Sequence, residues 1–364
     1  MNMTLFFTTE LFRSILSLLL AAAITSYSIP AIIQLSHEKL LHKTANGRDS
    51  HNGSIPTLGG IAIFASIGIS ALIFLDATIL PSLQYFMVGI VIIFMMGVKD
   101  DLFVVSPYTK LSGEIASFLL LIILGNIRIT SLHGFLGIHE ISYVTSVFLT
   151  LITGLGIINS INLVDGIDGL AAGLSSLVTI TFATWFYFNR QSELLVICSA
   201  VTGSLLAFIY FNVYGKKNKI FMGDTGSLIL GFIITFFIIN FLESSLPGRA
   251  VCHIQAAPAV ALGILAIPIY DTLRVFWIRI LRKQSPFHAD RLHLHHLLLN
   301  AGFSHKRATL TLVLINLLFI IISFTLQVFT ANIIYIILIL LTLCIIMTEV
   351  FEYLKRANEK NGTV

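Results

Sequence analysis

Residues 221–242 read FMGDTGSLILGFIITFFIINFL. After Asp224 the run holds no charged residue, and most of its side chains are aliphatic or aromatic. A helix that crosses the hydrocarbon core of a bilayer needs about 20 mostly apolar residues. The stretch therefore predicts a membrane-spanning helix with one aspartate close to its start.

Runs of the same kind recur along the whole chain. We predict about eleven spans, centred near Ala21, Ala65, Ile90, Leu120, Leu149, Thr179, Ala200, Ile233, Ile267, Leu314 and Leu338. Only 11% of the 364 residues are charged, against about 25% in soluble domains. The sequence therefore predicts an all-α integral membrane protein, with residues 1–364 in one polytopic domain. Pro258 and Pro268 predict a kink or a break in the ninth span.

The basic residues predict the orientation of these spans. With the C-terminus assigned to the cytoplasm, the loops on that side hold Lys39, Lys43, Arg48, Lys99, Lys110, Lys216, Lys217, Lys219, Arg279, Arg282, Lys283, Arg291, Lys306 and Arg307. The opposite side holds only Arg13, Arg128, Arg190 and Arg249. Because positive charge marks the cytoplasmic side, we expect the N-terminus outside and the C-terminus inside. Residues 126–142, with Gly134 and Gly137, predict a small hairpin at the outer surface.

Cysteine usage and net charge exclude other classes. Cys198, Cys252 and Cys344 lie in or beside apolar runs without paired spacing, so they indicate neither a disulfide framework nor a zinc site. The net charge of +4 is modest and lies on one side. That distribution is typical of a membrane topology signal and does not indicate nucleic-acid binding.

Five predicted cytoplasmic loops hold nearly all of the unusual polar residues. They lie near 35–56, 98–111, 159–170, 213–226 and 281–307. Carboxylate and amide oxygens suit Mg²⁺, and we favour Asn162 and Asp224 as its ligands, with Mn²⁺ as the alternative ion. Lys110, Arg291 and the histidines can donate hydrogen bonds to phosphate oxygens. Together these groups indicate a phosphoryl-transfer site.

Structural roles are the alternative for each of these residues. Asp165 and Asp168 could serve turns or helix caps beside glycines, and the histidines could form an interfacial belt. The His-Leu-His-His spacing could bind zinc, but no thiolates or matching carboxylates lie nearby in the sequence. A secondary transporter would also carry charges and broken helices, yet it predicts inverted repeats, which this sequence lacks. We favour catalysis because the polar residues gather on one side, and ionisable groups at membrane depth are costly.

Four motifs in a fixed order carry a resemblance to a known family. They read DDLFVVSPYTKL from Asp100, NLVDGIDGLAAG from Asn162, FMGDTGSL from Phe221 and DRLHLHH from Asp290. Together they resemble the polyprenyl-phosphate N-acetylhexosamine-1-phosphate transferases (glycosyltransferase 4 family) over roughly residues 42–296. The pattern is most similar to the bacterial undecaprenyl-phosphate GlcNAc-1-phosphate transferases.

Two local comparisons refine this resemblance. The branch that transfers phospho-MurNAc-pentapeptide usually carries three consecutive histidines followed by an aromatic residue and an acid, whereas this chain has Leu294 and Leu297. The HLHH string therefore favours the GlcNAc branch. A separate departure from the family pattern concerns His42-Lys43-Thr44, where relatives often show Asp-Lys-Pro.

The resemblance implies roles for individual residues. It assigns Asn162 and Asp224 to Mg²⁺. It implies that Asp100 and Asp101 lie beside the reacting phosphates, and that Asp165 and Asp168 help to hold the uridine and the metal. We group these four aspartates as catalytic, and we assign substrate binding to Lys43, His51, Lys110, Asn159, Arg291, His293, His295 and His296.

The resemblance also implies a reaction and a location. The expected reaction joins UDP-GlcNAc and undecaprenyl phosphate to give undecaprenyl-diphospho-GlcNAc and UMP, the first lipid-linked step of a cell-envelope polysaccharide such as lipopolysaccharide O-antigen. The expected location is the bacterial inner membrane, with the active site on the cytoplasmic face. A sister transferase that uses UDP-MurNAc-pentapeptide or another UDP-N-acetylhexosamine is the alternative, and a secondary transporter is a remote one. The sequence leaves a homodimer open.

Overall fold

A computed structural model describes residues 3–38, 55–76, 83–103, 105–216, 218–249, 251–285, 290–360 and 362. Its helices are α1 (Met3–Glu38), α2 (Gly59–Phe74), α3 (Leu83–Leu102), α4 (Pro107–Leu119), α5 (Tyr143–Val164), α6 (Leu170–Phe188), α7 (Ser192–Ile209), α8 (Gly223–Ser244), α9 (Ala257–Ile264), α10 (Ala266–Leu281), α11 (Leu294–Asn300), α12 (His305–Phe329) and α13 (Ile333–Lys360). Helices α4 and α7 continue as π-helical turns over Leu120–Leu124 and Tyr210–Tyr214. Two short strands, β1 (Ser131–Phe135) and β2 (Ile138–Glu140), complete the secondary structure of the described residues.

The predicted all-α membrane fold is confirmed. Within the described ranges, nine helices are long and apolar enough to cross a bilayer, and the pair α9–α10 forms a tenth if it counts as one span. Helix α2 is apolar but has only 16 residues. Ten of the eleven predicted span centres fall inside one of these helices, and Leu120 falls in the π-helical turn that continues α4. The number of crossings and their orientation remain predictions, since helix length and composition fix neither.

Helix α8 forms the centre of the bundle. It packs against α2, α3, α5 and α6, and most of its side chains are buried. Its aromatic side chains interlock with those of its neighbours: the ring of Phe236 lies 4.0 Å from that of Phe86 on α3, and Phe232 lies 5.1 Å from Phe118 on α4. Aromatic residues bury more apolar area than other side chains, so these contacts fix α8 and, with it, the position of Asp224 at its first turn.

The predicted hairpin at residues 126–142 is confirmed. Strands β1 and β2 pair antiparallel, with Ser131 opposite Glu140. The turn uses Gly134 and Gly137, at φ values of +85° and +78°. Glu243, near the end of α8, accepts hydrogen bonds from the N–H and hydroxyl of Thr130 at 2.7 and 2.8 Å. The hairpin therefore lies at the opposite end of α8 from Asp224.

The predicted break in the ninth span is also confirmed, since α9 and α10 meet at an angle of 81°. Pro268 has no N–H to donate to the carbonyl of Ile264. Asn316 on α12, which is fully buried, replaces that donor: its Nδ2 donates to the Ile264 carbonyl at 3.0 Å. Its Oδ1 accepts a hydrogen bond from the N–H of Ile267, also at 3.0 Å. One side chain therefore satisfies both backbone groups that the break exposes.

Replacing Asn316 with leucine should destabilise the protein by about 1–3 kcal/mol for each backbone group left unpaired. The thermal unfolding midpoint of the purified protein in detergent measures this loss. Thr325→Val is the matched control, because Thr325 lies exposed on the same helix and bonds only to the helix backbone. Equal midpoints for Asn316→Leu and the wild type would contradict this role of the asparagine.

Candidate active site

Asp224 lies at the centre of a cluster of polar side chains from several helices. Its Oδ1 accepts hydrogen bonds from Nζ of Lys110 at 3.1 Å and from Nδ2 of Asn162 at 2.7 Å. Lys110 also donates to Oδ2 of Asp100 at 3.2 Å. The same Asn162 nitrogen lies 2.8 Å from Oγ of Ser227. Side chains from three of the sequence motifs therefore meet at the start of α8.

Asp101 caps this helix from the side. It is 5% exposed, and its Oδ1 accepts the N–H of Asp224 at 2.9 Å. Its Oδ2 accepts the N–H and the hydroxyl of Thr225 at 3.0 and 2.6 Å. Gly223 makes this close approach feasible, because its φ is +72° and a Cβ there would lie 2.6 and 2.7 Å from the two carboxylate oxygens of Asp101. Asp101 therefore positions Asp224 through the backbone of α8.

Asp165 and Asp168 follow α5 and lie on the same side of the cluster. Oδ2 of Asp168 accepts a hydrogen bond from Nζ of Lys219 at 2.7 Å, and Nδ1 of His305 lies 3.5 Å away. No described residue donates a hydrogen bond to the side chain of Asp165. Burial, and after it the charges of three neighbouring aspartates, together raise the pKa of Asp165 to about 7. Asp165 is therefore a carboxyl group with a pKa near neutrality and without a described hydrogen-bond donor.

Two open clefts border this cluster. The first, which we call the acidic cleft, has a volume of about 850 Å³ and is lined by Thr57, Asp101, Asn162, Asp165, Gly166, Ile167, Asp168, Asn212, Phe221, Gly223, Asp224, Ser227 and His305. The second, the histidine cleft, has a volume of about 830 Å³ and is lined by Asn159, Asn162, Leu163, Gly166, Phe276, Arg279, Asp290, His293, His295 and His296. Asn162 and Gly166 line both clefts. The two spaces therefore adjoin along one wall.

Three histidines form one side of the histidine cleft. The rings of His293 and His295 are nearly parallel, with centroids 5.8 Å apart, and the ring of His296 lies 4.3 Å from that of His295. Burial, and after it the neighbouring histidines, together lower the pKa of His295 to about 4, so this ring is neutral at pH 7. It packs on Gly166, where a Cβ would lie only 2.4 Å from Nε2 of His295. Any side chain at Gly166 would displace the ring.

Arg279 on α10 supplies a buried cation to the same cleft. It is 3% exposed, and its Nε and Nη2 donate to the two oxygens of Asp290 at 2.8 and 3.1 Å. Burial opposes ionisation of Asp290, but the hydrogen bonds from Arg279 hold the pKa of this carboxyl below its ordinary value. The paired geometry fixes the segment that leads into the histidines.

The oxygen donors at the junction of the clefts fit a hard divalent cation. Asp224 and Asn162 touch each other, and Asn162 has no described donor to its amide oxygen. Asp165 adds a carboxylate on the same cleft wall. No group of three acid, histidine or cysteine side chains within the described ranges could hold a metal alone. Mg²⁺ commonly takes one or two carboxylates and completes its shell with water and substrate phosphates, so this partial donor set suits it.

The structure brings most of the predicted site residues together. Around the acidic cleft lie Asp100, Asp101, Lys110, Asn162, Asp165, Asp168 and Asp224, and around the histidine cleft lie Asn159, His293, His295 and His296. Arg291 is exposed and lines neither cleft. Lys43 and His51 lie outside the described residues.

Sequence reasoning missed several groups that shape the site. From the sequence, Lys219 and Arg279 are used only as topology signals, and His305 is not singled out. In the structure Lys219 and His305 both contact Asp168, and Arg279 lines the histidine cleft. Buried Glu114 on α4 was also missed; it bonds to Asn159. Asp271, 2% exposed on α10, contacts His293. A carboxylate inside a predicted span was the available signal for both acids, because such groups are costly in a bilayer.

Comparison with known proteins gives concordant similarities. The sequence model of glycosyl transferase family 4 matches residues 83–242. A protein of Escherichia coli O157:H7 named undecaprenyl-phosphate alpha-N-acetylglucosaminyl 1-phosphate transferase is 33% identical over 266 residues, which cover 72% of this chain and 70% of that protein. A Bacillus subtilis (strain 168) protein named probable undecaprenyl-phosphate N-acetylglucosaminyl 1-phosphate transferase is 31% identical over 318 residues, or 86% of this chain and 85% of that protein. All of the residues that line the acidic cleft except Thr57 and His305 lie within residues 83–242.

Proposed function

Because this chain belongs to glycosyl transferase family 4, we propose that it transfers N-acetylglucosamine 1-phosphate from UDP-GlcNAc to undecaprenyl phosphate. The products are undecaprenyl-diphospho-GlcNAc and UMP. The names of the relatives support the acceptor and the sugar. The observation that carries the proposal is the hydrogen-bonded meeting of Lys110 and Asp224 with Asn162, which lines both clefts.

This reaction requires neither a redox partner nor a covalent enzyme intermediate. An oxygen of the lipid phosphate attacks the β-phosphorus of the donor, and the bond from that phosphorus to the bridging oxygen of UMP breaks. The second pKa of a phosphate monoester is about 6, so the lipid phosphate is mostly dianionic at pH 7. The attacking oxygen needs little help from a general base. The site must chiefly bring two anions together and hold them in line.

Lys110 is suited to this task because it already bridges two carboxylates. Its ammonium group contacts Asp100 and Asp224 at 3.2 and 3.1 Å and is only 21% exposed. When a diphosphate enters the acidic cleft, a phosphate oxygen can replace one of these carboxylates as its partner. A partly buried cation acts more strongly on such a charge than an exposed one does.

We propose Mg²⁺ as the cofactor, with Mn²⁺ as an alternative, held by Asp224 and the amide oxygen of Asn162. When bound, such an ion neutralises charge on the diphosphate. Asp101 fixes the turn that carries Asp224. Asp165 lies on the same wall, where its raised pKa leaves it ready to ionise beside a cation.

In this proposal different parts of the donor occupy the two clefts. The nucleotide and the leaving phosphate lie in the acidic cleft near Asp165 and Asp168. The sugar and the transferred phosphate extend past Gly166 into the histidine cleft, towards His295 and His296. The lipid stays in the bilayer, because each CH₂ drawn into water costs about 0.8 kcal/mol. We place the site at the cytoplasmic edge of the bacterial plasma membrane, on the strength of the basic loops.

A donor panel tests the identity of the sugar. Purified protein, undecaprenyl phosphate and one of UDP-GlcNAc, UDP-GalNAc or UDP-MurNAc-pentapeptide are mixed, and release of UMP is measured. We expect the highest kcat/KM with UDP-GlcNAc, and no release when the lipid is omitted. Faster turnover of UDP-MurNAc-pentapeptide would contradict the proposed donor and favour the sister reaction.

A further inference from the structure

Asp271 is a buried carboxylate in α10 whose contacts all lead to the loop that carries the histidines. It is 2% exposed. Its Oδ2 lies 3.0 Å from Nδ1 of His293, and its Oδ1 accepts the N–H of Leu294 at 3.0 Å. Arg274, one turn along α10, donates to Oδ1 at 3.3 Å. Burying a charge is costly unless it is paired and hydrogen-bonded, and here the compensation comes chiefly from the histidine loop.

The contact belongs to a series of three ties between α10 and residues 290–294, which run antiparallel to each other. Arg279 holds Asp290, Arg274 donates to the carbonyl oxygen of Leu292, and Asp271 holds His293 and Leu294. The tie made by Arg274 holds a backbone carbonyl, and the tie made by Arg279 holds a carboxylate. Only the tie made by Asp271 contacts a histidine that lines a cleft.

The geometry assigns the two nitrogens of His293 different tasks. Its ring is 5% exposed, and Nδ1 is committed to Asp271. A carboxylate acceptor at that position keeps a proton on Nδ1 and fixes the orientation of the ring, as carboxylate partners do for histidines in metal sites. Among the described residues none hydrogen-bonds to Nε2, so Nε2 is the atom left to meet a ligand in the histidine cleft.

We propose that Asp271 is a positioning residue for the transfer reaction, and that it presents Nε2 of His293 to the sugar 1-phosphate of the donor. Asp271 does not touch the substrate in this proposal. It acts by holding the tautomer and the angle of a ring that does. The inference rests on the proposed function, since it assumes that the histidine cleft receives this part of the donor.

A double-mutant cycle tests the proposal with Asp271→Asn, His293→Ala and the double variant. Asparagine keeps the size of the side chain and an oxygen for Leu294, but it turns an N–H towards Nδ1 and so favours the wrong tautomer. We expect each single variant to lose about 10- to 100-fold in kcat/KM, the usual cost of removing the partner that orients a histidine. If Asp271 acts through His293, the double variant should lie within about threefold of His293→Ala. Asp271→Glu should recover part of the loss.

Controls separate this mechanism from a general loss of structure. Thr272→Val removes a neighbouring buried hydroxyl without a described partner and should leave both the rate and the unfolding midpoint unchanged. If Asp271→Asn does not fold, His293→Asn takes its place, because the asparagine amide lies near the position of Nδ1 and can donate to Asp271, but it has no atom at the position of Nε2. This variant should then transfer at least tenfold more slowly than the wild type, with the same unfolding midpoint.

Additive losses in the double variant, or a rate for Asp271→Asn within twofold of the wild type, would overturn the proposal. A wild-type rate for His293→Asn would do the same. Absence of transfer in the wild type would instead refute the proposed function, so the two failures are distinguishable.

Discussion

Asp224→Asn should reduce the transfer rate by about 10²- to 10³-fold, the range seen when one electrostatic contact to a transition state is removed. The substitution keeps the size of the side chain and its place in the first turn of α8. It removes the negative charge that Lys110 and Asn162 share. The donor set for a divalent cation then loses its central carboxylate, whereas the buried packing of α8 is unaffected.

UMP release in detergent, measured over a range of MgCl₂ concentrations, checks this expectation. EDTA should abolish turnover by the wild type, and added Mg²⁺ should restore it. The Asp224→Asn variant should need a higher Mg²⁺ concentration for whatever activity remains. Glu140→Gln is the control, because it removes an exposed carboxylate in the hairpin at the other end of the molecule. Near-normal turnover by Asp224→Asn, or full activity in EDTA, would show that this carboxylate and a metal are not required.

Lys110→Met should lower kcat/KM by about 10²-fold, since it removes a partly buried cation from the place where charge develops. Methionine keeps the length and the apolar stem of the side chain, so packing against α3 changes little. The loss should leave Asp100 and Asp224 facing each other without their shared partner. Repulsion between these two carboxylates then opposes entry of the anionic donor.

Lys110→Arg provides the matched comparison, because it keeps the charge but changes its shape. We expect it to keep at least a tenth of the wild-type rate, whereas Lys110→Met should keep about a hundredth. Steady-state rates at saturating lipid and varied UDP-GlcNAc distinguish the two variants. Equal rates for methionine and arginine would show that the charge of Lys110 is irrelevant to transfer.

Local patterns were sufficient to predict most of the fold. The spans follow from apolar runs, the hairpin from Gly134 and Gly137, and the break in the ninth span from Pro268. Each of these features depends on residues that are close together in the sequence. The partner of the break, Asn316, lies 52 residues after Ile264, and no local pattern indicates that the two meet.

The adjacent acids Asp100 and Asp101 show why roles within the site were harder to predict. The sequence places both beside the reacting phosphates. In the structure their side chains diverge: Asp100 pairs with Lys110, whereas Asp101 turns inwards to cap α8. Consecutive residues on a helix point about 100° apart, and which of them meets α8 is decided by helix packing.

The sequence predicts the histidine motif as one group, but in the structure its members differ in burial. His293 and His295 are buried, His296 is half-buried, and Arg291 is exposed outside both clefts. The difference arises from the ties to α10 through Asp271, Arg274 and Arg279, which are far from the motif in sequence. A buried acid inside an apolar span was the one sequence signal for this support.

In the proposed reaction a sugar and its phosphate move together to the lipid. UDP-GlcNAc labelled with ³²P at the β-phosphorus, incubated with the purified protein and undecaprenyl phosphate, tests it most directly. We predict that the label enters the organic phase as a lipid diphosphate and that the UMP released is unlabelled. Label that stays in the aqueous phase as UDP while the sugar enters the lipid would contradict transfer of a sugar 1-phosphate.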